Sequence, residues 1–413
     1  YMIIDDVIKS AKRIHFIGIG GSGMCPLAEI LHAQGHYLTG SDNNESDTLK
    51  RIRALGIPVT MGQKAENVEG ADMVVYTAAL LPDNPELVAA KASGIPTFER
   101  SKLLGAVTRI YPNSICISGT HGKTTTTSMF SSVLLAAETD PTISVGGILE
   151  AIGGNIRVGK SETFITEACE YTNSFLSFYP TMSIILNIEE DHMDFFKDLD
   201  DIMNSFRLFA KKLPKDGILV INKEIKDYEK IVEGLECKVI TYGMDPSCTY
   251  HAENIQFNAQ GYGEFDVMHH HTKLGHIVLS VPGQHNVSNA LAVICAARKL
   301  GISMEQIQAG LLGFSGANRR FQHKGELNGV TIIDDYAHHP TEIRTTLEAA
   351  KNYPHKEIWC IFQPHTYTRT KAFLQEFADV LSQADVLVLA EIYAAREKNT
   401  IGISSKDLLA LVK

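Results

Sequence analysis

The chain is 413 residues long, 44% of its residues are hydrophobic, and its formal net charge is −10 at pH 7. This length predicts two or three domains, and the composition is that of a folded globular protein. The acidic balance excludes a broad nucleic-acid-binding surface, because such a surface needs clustered positive charge. Seven scattered cysteines without a Cys-x-x-Cys pair predict reduced thiols. The N-terminus shows no charged leader before an apolar run, and no stretch is long enough to span a membrane, so we expect a cytoplasmic protein without membrane insertion.

The first hundred residues alternate short apolar runs with helical patterns, which predicts a parallel sheet built from βαβ units. The first apolar run leads into "GIGGSGM", where Gly18, Gly20 and Gly23 have the G-x-G-x-x-G spacing of a dinucleotide-binding turn. Asp42 follows where a ribose-binding acid is expected. Such glycines let the backbone approach a pyrophosphate at a helix N-terminus. NAD, another nucleoside diphosphate and a turn without a ligand therefore all stay open at this point.

A second glycine-containing turn, "SGTHGKTTTT", lies between the predicted strand "SICISG" and a predicted helix. Gly122, Lys123 and Thr124 there have the order of a phosphate-binding loop, although Ile117 occupies the position of the first glycine in the full motif. Backbone N–H groups and the helix dipole can bind phosphates, Lys123 can reach the terminal phosphates and Thr124 can bind Mg²⁺. The turn predicts an ATP site.

Candidate metal ligands follow the next two predicted strands, "TFITEA" and "MSIILNI". Glu167 ends the first of these strands, and His192 comes shortly after the second. Ligands bind at the carboxyl ends of parallel strands, so both side chains are expected near the phosphate loop. Mg²⁺ prefers carboxylates together with substrate phosphates, which makes Glu167 the better-founded ligand. His192 alone is also compatible with a hydrogen-bonding role.

The remaining pattern divides the chain further. Short alternating segments from about 236 to 282 predict an antiparallel extension, and the final hundred residues return to alternating strands and helices. The predicted fold class is therefore α/β with three domains. These are a Rossmann-like domain at 1–108, a central P-loop ATPase-type sheet with a small antiparallel extension at 109–315, and a C-terminal Rossmann-like domain at 316–413.

Seven segments resemble the motifs of the Mur ligase family, in family order: "GIGGSGM", "GTHGKTTT", "NIEEDHMD", "PGQHNVSNALA", "RRFQHKG", "DDYAHHPTEI" and "QPHTYTRT". Seven ordered motifs are far more specific than either glycine turn. The resemblance implies ATP-dependent amide formation between the carboxylate of UDP-N-acetylmuramate and L-alanine, through an acyl phosphate, in peptidoglycan precursor synthesis. It also implies one or two Mg²⁺ ions, for which Mn²⁺ can substitute, and a monomer or homodimer. The first glycine turn then resembles a site for the UDP diphosphate, and no nicotinamide is needed.

The resemblance also assigns roles to individual residues. It implies a catalytic set of Lys123, His121, Glu167, His192 and Arg320. It implies nucleotide contacts from Gly119, Thr120, Gly122, Lys123, Thr124, Thr125, Asn286, Asn289, Arg320 and Asp335. It implies metal ligands at Thr124, Glu167 and His192. It implies contacts to the sugar nucleotide or to alanine from Gly18, Gly20, Gly21, Ser22, Gly23, Asp42, His121, Tyr336, His338, His365 and Arg369.

Some positions have other interpretations or depart from the family. Without the resemblance, Asn286 is interpreted as a helix N-cap, and the two arginines before Phe321 as a surface salt bridge. Cys169 and Tyr171 stand where many members have an acidic run, and Thr366 occupies a position that is often arginine. The chain also ends before the terminal strand that the family usually has, which predicts an incomplete third domain.

Three alternative functions stay open. A related ligase attaches a whole peptide to the same UDP-muramate. An NAD-dependent dehydrogenase explains residues 14–42 but leaves "GTHGKT" unexplained, and a nucleotide switch protein gives no reason for "DDYAHHP" or "QPHTYTR".

For the ligase, ATP and the sugar nucleotide start on different domains, and water would hydrolyse an acyl phosphate. We therefore expect the domains to close over the site.

Overall fold

The computed structural model describes residues 3–317, 319–395 and 397–413. In these residues the strands form a five-stranded sheet, a ten-stranded sheet and two two-stranded sheets. No helix within these ranges combines the length and hydropathy that crossing a bilayer requires. None of the seven cysteines, all of which lie in the described residues, forms a disulfide bond.

The N-terminal sheet is parallel, as the βαβ pattern predicts. Its strands are β1 (Ile14–Ile17), β2 (Leu38–Asp42), β3 (Val59–Met61), β4 (Met73–Tyr76) and β5 (Thr97–Glu99). The helices around it are α1 (Ile4–Ser10), α2 (Cys25–Ala33), α3 (Asp47–Ala54), α4 (Pro85–Ala92) and α5 (Arg100–Ile110). The strand order β3-β2-β1-β4-β5 puts β1 in the centre. The first glycine turn therefore leaves the middle of the sheet at its carboxyl edge.

The central sheet carries the phosphate loop. Its strands are β6 (Asn113–Ser118), β7 (Thr142–Leu149), β8 (Gly154–Arg157), β9 (Thr163–Glu167), β10 (Met182–Ile185), β11 (Ile218–Asn222), β12 (Lys238–Gly243), β13 (Tyr250–Phe257), β14 (Tyr262–His269) and β15 (Thr272–Pro282). Their order is β15-β14-β13-β12-β11-β10-β6-β9-β7-β8, so β9 and β10 flank β6. This arrangement places the ends of β9 and β10 beside the phosphate loop, as the sequence predicts.

The antiparallel extension begins later than predicted. The strand β12 pairs in parallel with β11, and β13 pairs in parallel with β12, so antiparallel pairing starts only between β13 and β14. The predicted start near residue 236 is wrong because alternation of apolar and polar residues is the same whichever way the neighbouring strand runs.

Helices cover both faces of the central sheet: α6 (Lys123–Ala136), α7 (Leu199–Ala210), α8 (Glu229–Val232), α9 (Gln284–Lys299) and α10 (Met304–Gly313). One face packs with α6, α9 and α10 in one hydrophobic cluster. On the other face, Phe164 and Phe206 belong to a cluster that also contains Phe16 of the N-terminal sheet. This shared core fixes the N-terminal sheet against the central one.

The C-terminal segment contains the predicted strands, but they do not share one sheet in the described residues. Its elements are β16 (Gln322–Leu327), β17 (Val330–Asp334), α11 (Pro340–Lys351), β18 (Trp359–Phe362), α12 (Tyr367–Ala372), α13 (Leu374–Leu381), β19 (Val386–Leu389) and α14 (Ser405–Leu409). The strands β16 and β17 form an antiparallel hairpin, whereas β18 pairs in parallel with β19. Pro340 begins α11 as predicted, because the first helical turn tolerates a missing N–H.

Candidate active site

The phosphate loop is a four-residue connection between β6 and α6. Gly119 and Gly122 both have positive φ, at 150° and 83°, which favours glycine over residues with a side chain. A Cβ at Gly119 would also lie 2.9 Å from the Cβ of Leu186. The backbone can therefore turn tightly here and lead directly into the N-terminus of α6, where unpaired N–H groups can bind phosphate.

Asn187, two residues after β10, holds this loop in place. The His121 N–H donates to Asn187 Oδ1 at 2.7 Å, and Asn187 Nδ2 donates back to the His121 carbonyl at 2.9 Å. The Thr120 hydroxyl accepts the Glu189 N–H at 2.9 Å. The loop is thus attached to the segment that follows the neighbouring strand.

Lys123 lies at the centre of a negatively charged group. Its Nζ atom donates to the Gly119 carbonyl at 2.6 Å and lies 3.4 Å from Glu170 Oε2. Burial alone would lower the pKa of Lys123, but the charges of Glu170, Glu167 and neighbouring groups outweigh burial and raise it. Lys123 therefore carries a full positive charge at neutral pH, at the start of the phosphate-binding helix.

Two carboxylates near Lys123 have unsatisfied oxygens. Oε1 of Glu167 and Oε1 of Glu170 are both buried and accept no hydrogen bond from the described residues. Glu167 packs so closely on Gly146 that a side chain there would overlap it. Burial raises the pKa of Glu167, against the opposing effects of the Thr124 hydroxyl and of Lys123. A buried oxygen without a partner points to a missing ligand, and two carboxylates beside a threonine hydroxyl suit a hard divalent cation.

His192 lies next to these carboxylates in a fixed orientation. Its Nε2 atom is 3.8 Å from Glu170 Oε1, and its backbone has the uncommon φ of 54°. The Tyr171 ring stacks on the imidazole with centroids 4.6 Å apart, and the Tyr171 hydroxyl donates to Asp194 Oδ2 at 2.6 Å. Tyr171, one of the departures from the family pattern, thus contacts the predicted metal ligand.

A cavity of about 830 Å³ opens beside the loop, between the central sheet and the C-terminal segment. Predicted site residues that line it are His121, Gly122, Thr125, Asn286, Asn289, Arg320 and Asp335. Asn286 is not the N-cap of α9, because Gly283 holds that position. The Asn286 Nδ2 atom instead donates to the Pro282 carbonyl at 2.9 Å, and Asn289 Nδ2 donates to Asn286 Oδ1 at 3.2 Å. The volume is within the range of small-molecule sites.

The two arginines before Phe321 have different surroundings. Arg319 lies near Asp334 with both side chains exposed, so it fits the predicted surface salt bridge. For Arg320 that interpretation is wrong, because Arg320 lines the cavity and its Nη1 atom faces Glu342 Oε2, a 12% exposed side chain, at 3.7 Å. Asp335 accepts the Phe321 N–H at 2.7 Å, which fixes the backbone just after Arg320.

A second group of predicted residues lies where α12 contacts the loop that follows β10. Arg369 Nε donates to Asp191 Oδ1 at 3.1 Å, and its Nη1 atom donates to His365 Nδ1 at 3.1 Å. Burial would raise the pKa of Asp191, but the charge of Arg369 prevails and lowers it to about 2. Thr366, the position that is often arginine, caps α12 by accepting the Arg369 N–H.

The aromatic residues of "DDYAHH" lie between these two groups. The Tyr336 ring lies under the Arg320 guanidinium at 5.6 Å and 5.2 Å from the His338 ring. His338 is 6.2 Å from the His365 ring, measured between centroids. Arg320, Tyr336, His338 and His365 therefore form a continuous row along the C-terminal side of the site.

His121, Glu189 and His339 bring potential ligand atoms within 4.8 Å of one another, a spacing that could hold a metal ion. Hydrogen bonds account for the cluster, however. Glu189 Oε2 accepts the Thr341 hydroxyl at 2.6 Å and faces His121 Nε2 at 3.2 Å. His339 Nε2 donates to the Glu190 carbonyl at 2.9 Å. These contacts join the C-terminal segment to the loop that follows β10.

His121 is predicted to make stability depend on pH. Burial would lower its pKa, but hydrogen bonds and the charges of Glu189 and Glu342 raise the pKa to about 9, from an ordinary value of 6.5. The stabilisation is fully present below 6.5 and is lost as the pH rises through 9. A shift of this size corresponds to about 3 kcal/mol.

Chemical denaturation between pH 6 and 10 measures this effect. The His121→Gln variant should lose less unfolding free energy over that range than the unmodified chain does. His271→Gln, at an exposed turn position, serves as the control and should keep the original slope. Equal slopes for all three proteins would contradict a charged His121.

The first glycine turn is built as predicted but lies apart from the cavity. Gly18 has a φ of 75°. The Gly20 N–H donates to Asp42 Oδ2 at 3.0 Å, so the acid that was predicted to bind a ribose stabilises the glycine turn. Asn155 Nδ2, on β8, donates to the Ser22 carbonyl at 3.2 Å. Among the described residues, none of the turn's glycines lines the cavity.

Sequence reasoning missed four acids and one amide of the site, two of them buried and three half-buried: Glu170, Asp191, Asn187, Glu189 and Glu342. Four of them lie inside or beside quoted motifs, in "NIEED" and "PTEI". An acid in a loop is usually solvated, so residue type alone gives no signal of burial. Their significance depends on long-range contacts that join the central sheet to the C-terminal segment.

The parallel sheets, the two glycine turns at their carboxyl edges and the C-terminal α/β segment define a multidomain α/β protein with the architecture of a nucleotide-binding enzyme. Three family models match consecutive ranges: "Mur ligase family, catalytic domain" at 13–111, "Mur ligase middle domain" at 117–297 and "Mur ligase, glutamate ligase domain" at 319–412. The chain belongs to the Mur ligase family.

Curated relatives and solved structures agree with this assignment. The chain is 60% identical over 401 residues to a UDP-N-acetylmuramate–L-alanine ligase of Agathobacter rectalis, covering 97% of this chain and 87% of the relative. It is 56% identical to the ligase of that name from Lachnospira eligens, covering 97% and 88%. The crystal structure of the UDP-N-acetylmuramate-alanine ligase of Thermotoga maritima matches with a TM-score of 0.77 at 32% identity, over 92% of this chain and 85% of that one. A murein peptide ligase from Psychrobacter arcticus matches with a TM-score of 0.73 at 26% identity, over 92% and 84%.

Proposed function

We propose that this chain joins L-alanine to the carboxylate of UDP-N-acetylmuramate with hydrolysis of ATP, as a step of peptidoglycan precursor synthesis in the cytoplasm. Curated relatives that bear the name of this activity are 49–60% identical to nearly the whole chain. The structural observation that carries the proposal is the cavity that the phosphate loop shares with Arg320 and Asp335 of the C-terminal segment. A nucleotide there would lie where two parts of the chain meet.

The proposed reaction has two steps, phosphoryl transfer followed by amide formation. A carboxylate oxygen of the muramate attacks the γ-phosphorus of ATP, ADP leaves, and an acyl phosphate forms. The alanine amine then attacks the acyl carbon, and the tetrahedral intermediate loses phosphate while the nitrogen loses a proton. Negative charge is concentrated at every stage, so electrostatic stabilisation is the main task of the protein.

The side chains of this site match that task. Lys123 and the N-terminus of α6 would stabilise the transferred phosphoryl group, and His121 would bring the muramate carboxylate toward it. Glu167, His192 and Thr124 would hold Mg²⁺, with Glu170 beside them. When bound, Mg²⁺ neutralises phosphate charge and orients the phosphates. Asn286 and Asn289 would contact adenine.

The C-terminal segment would supply the side of the site that alanine enters. The residues that lie together on that side are Arg369, His365, His338 and Tyr336, and Arg369 forms an ion pair with Asp191.

We propose domain boundaries at 108/109 and 315/316, with the UDP moiety bound at residues 18–23. Closure of the three domains would exclude water from the acyl phosphate. A small-angle scattering profile that ligands leave unchanged would contradict closure.

A direct assay distinguishes L-alanine from the peptide acceptor of related ligases. Phosphate release would be measured with ATP, Mg²⁺ and UDP-N-acetylmuramate, in parallel with L-alanine, glycine, L-serine, an L-alanyl peptide and no acceptor. We expect release that depends on L-alanine. Release with the peptide alone would assign the chain to the peptide ligases. In a separate assay with added NAD, the appearance of NADH absorbance would indicate a dehydrogenase instead.

A further inference from the structure

Glu342 lies at the point where the C-terminal segment meets the phosphate loop. It is the third residue of α11, and its side chain is 12% exposed. Two backbone N–H groups donate to its carboxylate, and two imidazoles and one guanidinium lie 3.4 to 3.7 Å from it. A buried carboxylate with this many partners is more than a solvated residue of a helix surface.

The two carboxylate oxygens have different partners. Oε1 accepts the N–H groups of His338 and His339, each at 3.2 Å, which is the capping interaction of an acid near a helix start. Oε2 faces the other way, 3.4 Å from His121 Nδ1 and 3.7 Å from Arg320 Nη1. A cap needs only the first set of contacts, so the second set requires another explanation.

The partners of Oε2 come from two separate parts of the chain. His121 belongs to the phosphate loop of the central sheet, whereas Arg320 lies on the segment that leads into β16. Both side chains line the cavity, and Glu342 lines it with them. The carboxylate therefore fixes the distance between two cations that would act on the same reacting groups.

We propose that Glu342 is a positioning residue that holds His121 and Arg320 in their working arrangement when the C-terminal segment packs on the central sheet. The inference rests on the proposed function and deepens it by adding a residue to the machinery of phosphoryl transfer. Burial would raise the pKa of Glu342, but the hydrogen bond to His121 and the charges of His338 and Arg320 hold it well below its usual range. The group is thus ionised and able to pair with both cations.

Substitution by glutamine separates the two roles of the side chain. In Glu342→Gln the amide oxygen can replace Oε1 as the cap acceptor, since glutamine is also found at this capping position. The amide NH₂ group then takes the place of Oε2 and presents donors to His121 and Arg320, which are donors themselves. If Glu342 only caps α11, the variant should keep the kcat of the unmodified chain. If Glu342 positions His121 and Arg320, kcat should fall.

The expected result is a fall in kcat of between about 10- and 100-fold, because a small misplacement of reacting groups has effects of this size. The KM for ATP should change far less. The melting temperature should fall, because the hydrogen bond and charge of Glu342 are among the effects that raise the His121 pKa. Glu376→Gln, an exposed acid in the first turn of α13, is the matched control and should retain full activity.

Two further measurements keep the test independent of the proposed function. Hydrogen exchange of the backbone amides of residues 119–123 reports on the contact between Glu342 and His121 without requiring turnover. This exchange should be faster in Glu342→Gln. In a double-mutant cycle, His121→Gln combined with Glu342→Gln should lose no more kcat than the worse single variant. Alanine-dependent phosphate release by the unmodified chain is a separate result, whose absence would contradict the function and leave the exchange experiment to decide on Glu342. Unchanged kcat and unchanged exchange, or losses that multiply in the double variant, would overturn the proposal.

Discussion

Replacing Lys123 by alanine should lower kcat for alanine-dependent phosphate release by at least about 100- to 1,000-fold, the usual effect of removing one preorganised partner of developing charge. Lys123 begins α6, so its ammonium group and the helix N-terminus act on the same phosphates. Its charge is full at neutral pH because the surrounding carboxylates raise its pKa. Initial-rate kinetics with saturating ATP and L-alanine measure the effect.

The same change should also destabilise the protein. Glu170 is 2% exposed and lies 3.4 Å from Lys123, so the alanine variant leaves a buried carboxylate without its cation. Breaking such a pair costs about 3 kcal/mol. Adding Glu170→Gln should restore the unfolding free energy but not the turnover. Lys406→Ala, at an exposed position on α14, should change neither quantity. Recovery of activity in the double variant would show that Lys123 has only a structural role.

The local elements of this fold could be predicted from the sequence. Apolar runs and helical periodicity located the strands, and Gly119 and Gly122 marked the phosphate loop because their backbone angles favour glycine. The order of the motifs indicated the family. Glu167 and His192 followed from their positions at the end of β9 and in the loop after β10, since the ends of parallel strands meet at one edge.

The strand pairing and several site contacts could not be predicted, because they depend on residues that are distant in the sequence. The parallel pairing of β12 with β11 could not be predicted, because the alternation of apolar and polar residues does not show in which direction the neighbouring strand runs. Asp42 was expected to face a ribose, and its hydrogen bond from Gly20 joins the end of β2 to the first glycine turn, a contact that the sequence does not reveal. Glu342 lies in a quoted motif, but its role depends on His121, more than 200 residues earlier. Sequence patterns locate elements, whereas burial and pairing come from their packing.

Replacing Glu167 by glutamine should make the enzyme much less active and the free protein more stable. The Oε1 atom is buried without a hydrogen-bond partner among the described residues, and burial raises the pKa of the carboxyl group. A raised pKa means that ionisation of Glu167 costs stability once the pH exceeds its unfolded value. A neutral amide of the same shape removes that cost.

The loss of activity should come through the divalent cation. Without the Glu167 charge, the Mg²⁺ concentration for half-maximal rate should rise, and kcat should fall by about 100-fold or more. Denaturation of the free protein and a Mg²⁺ titration of the rate measure the two effects. Glu162→Gln, exposed just before β9 begins, should leave both unchanged. A buried carboxylate kept for structure would give the opposite signs, with lower stability and normal Mg²⁺ dependence. Opposite changes in stability and turnover therefore distinguish a cation ligand from a structural acid at this position.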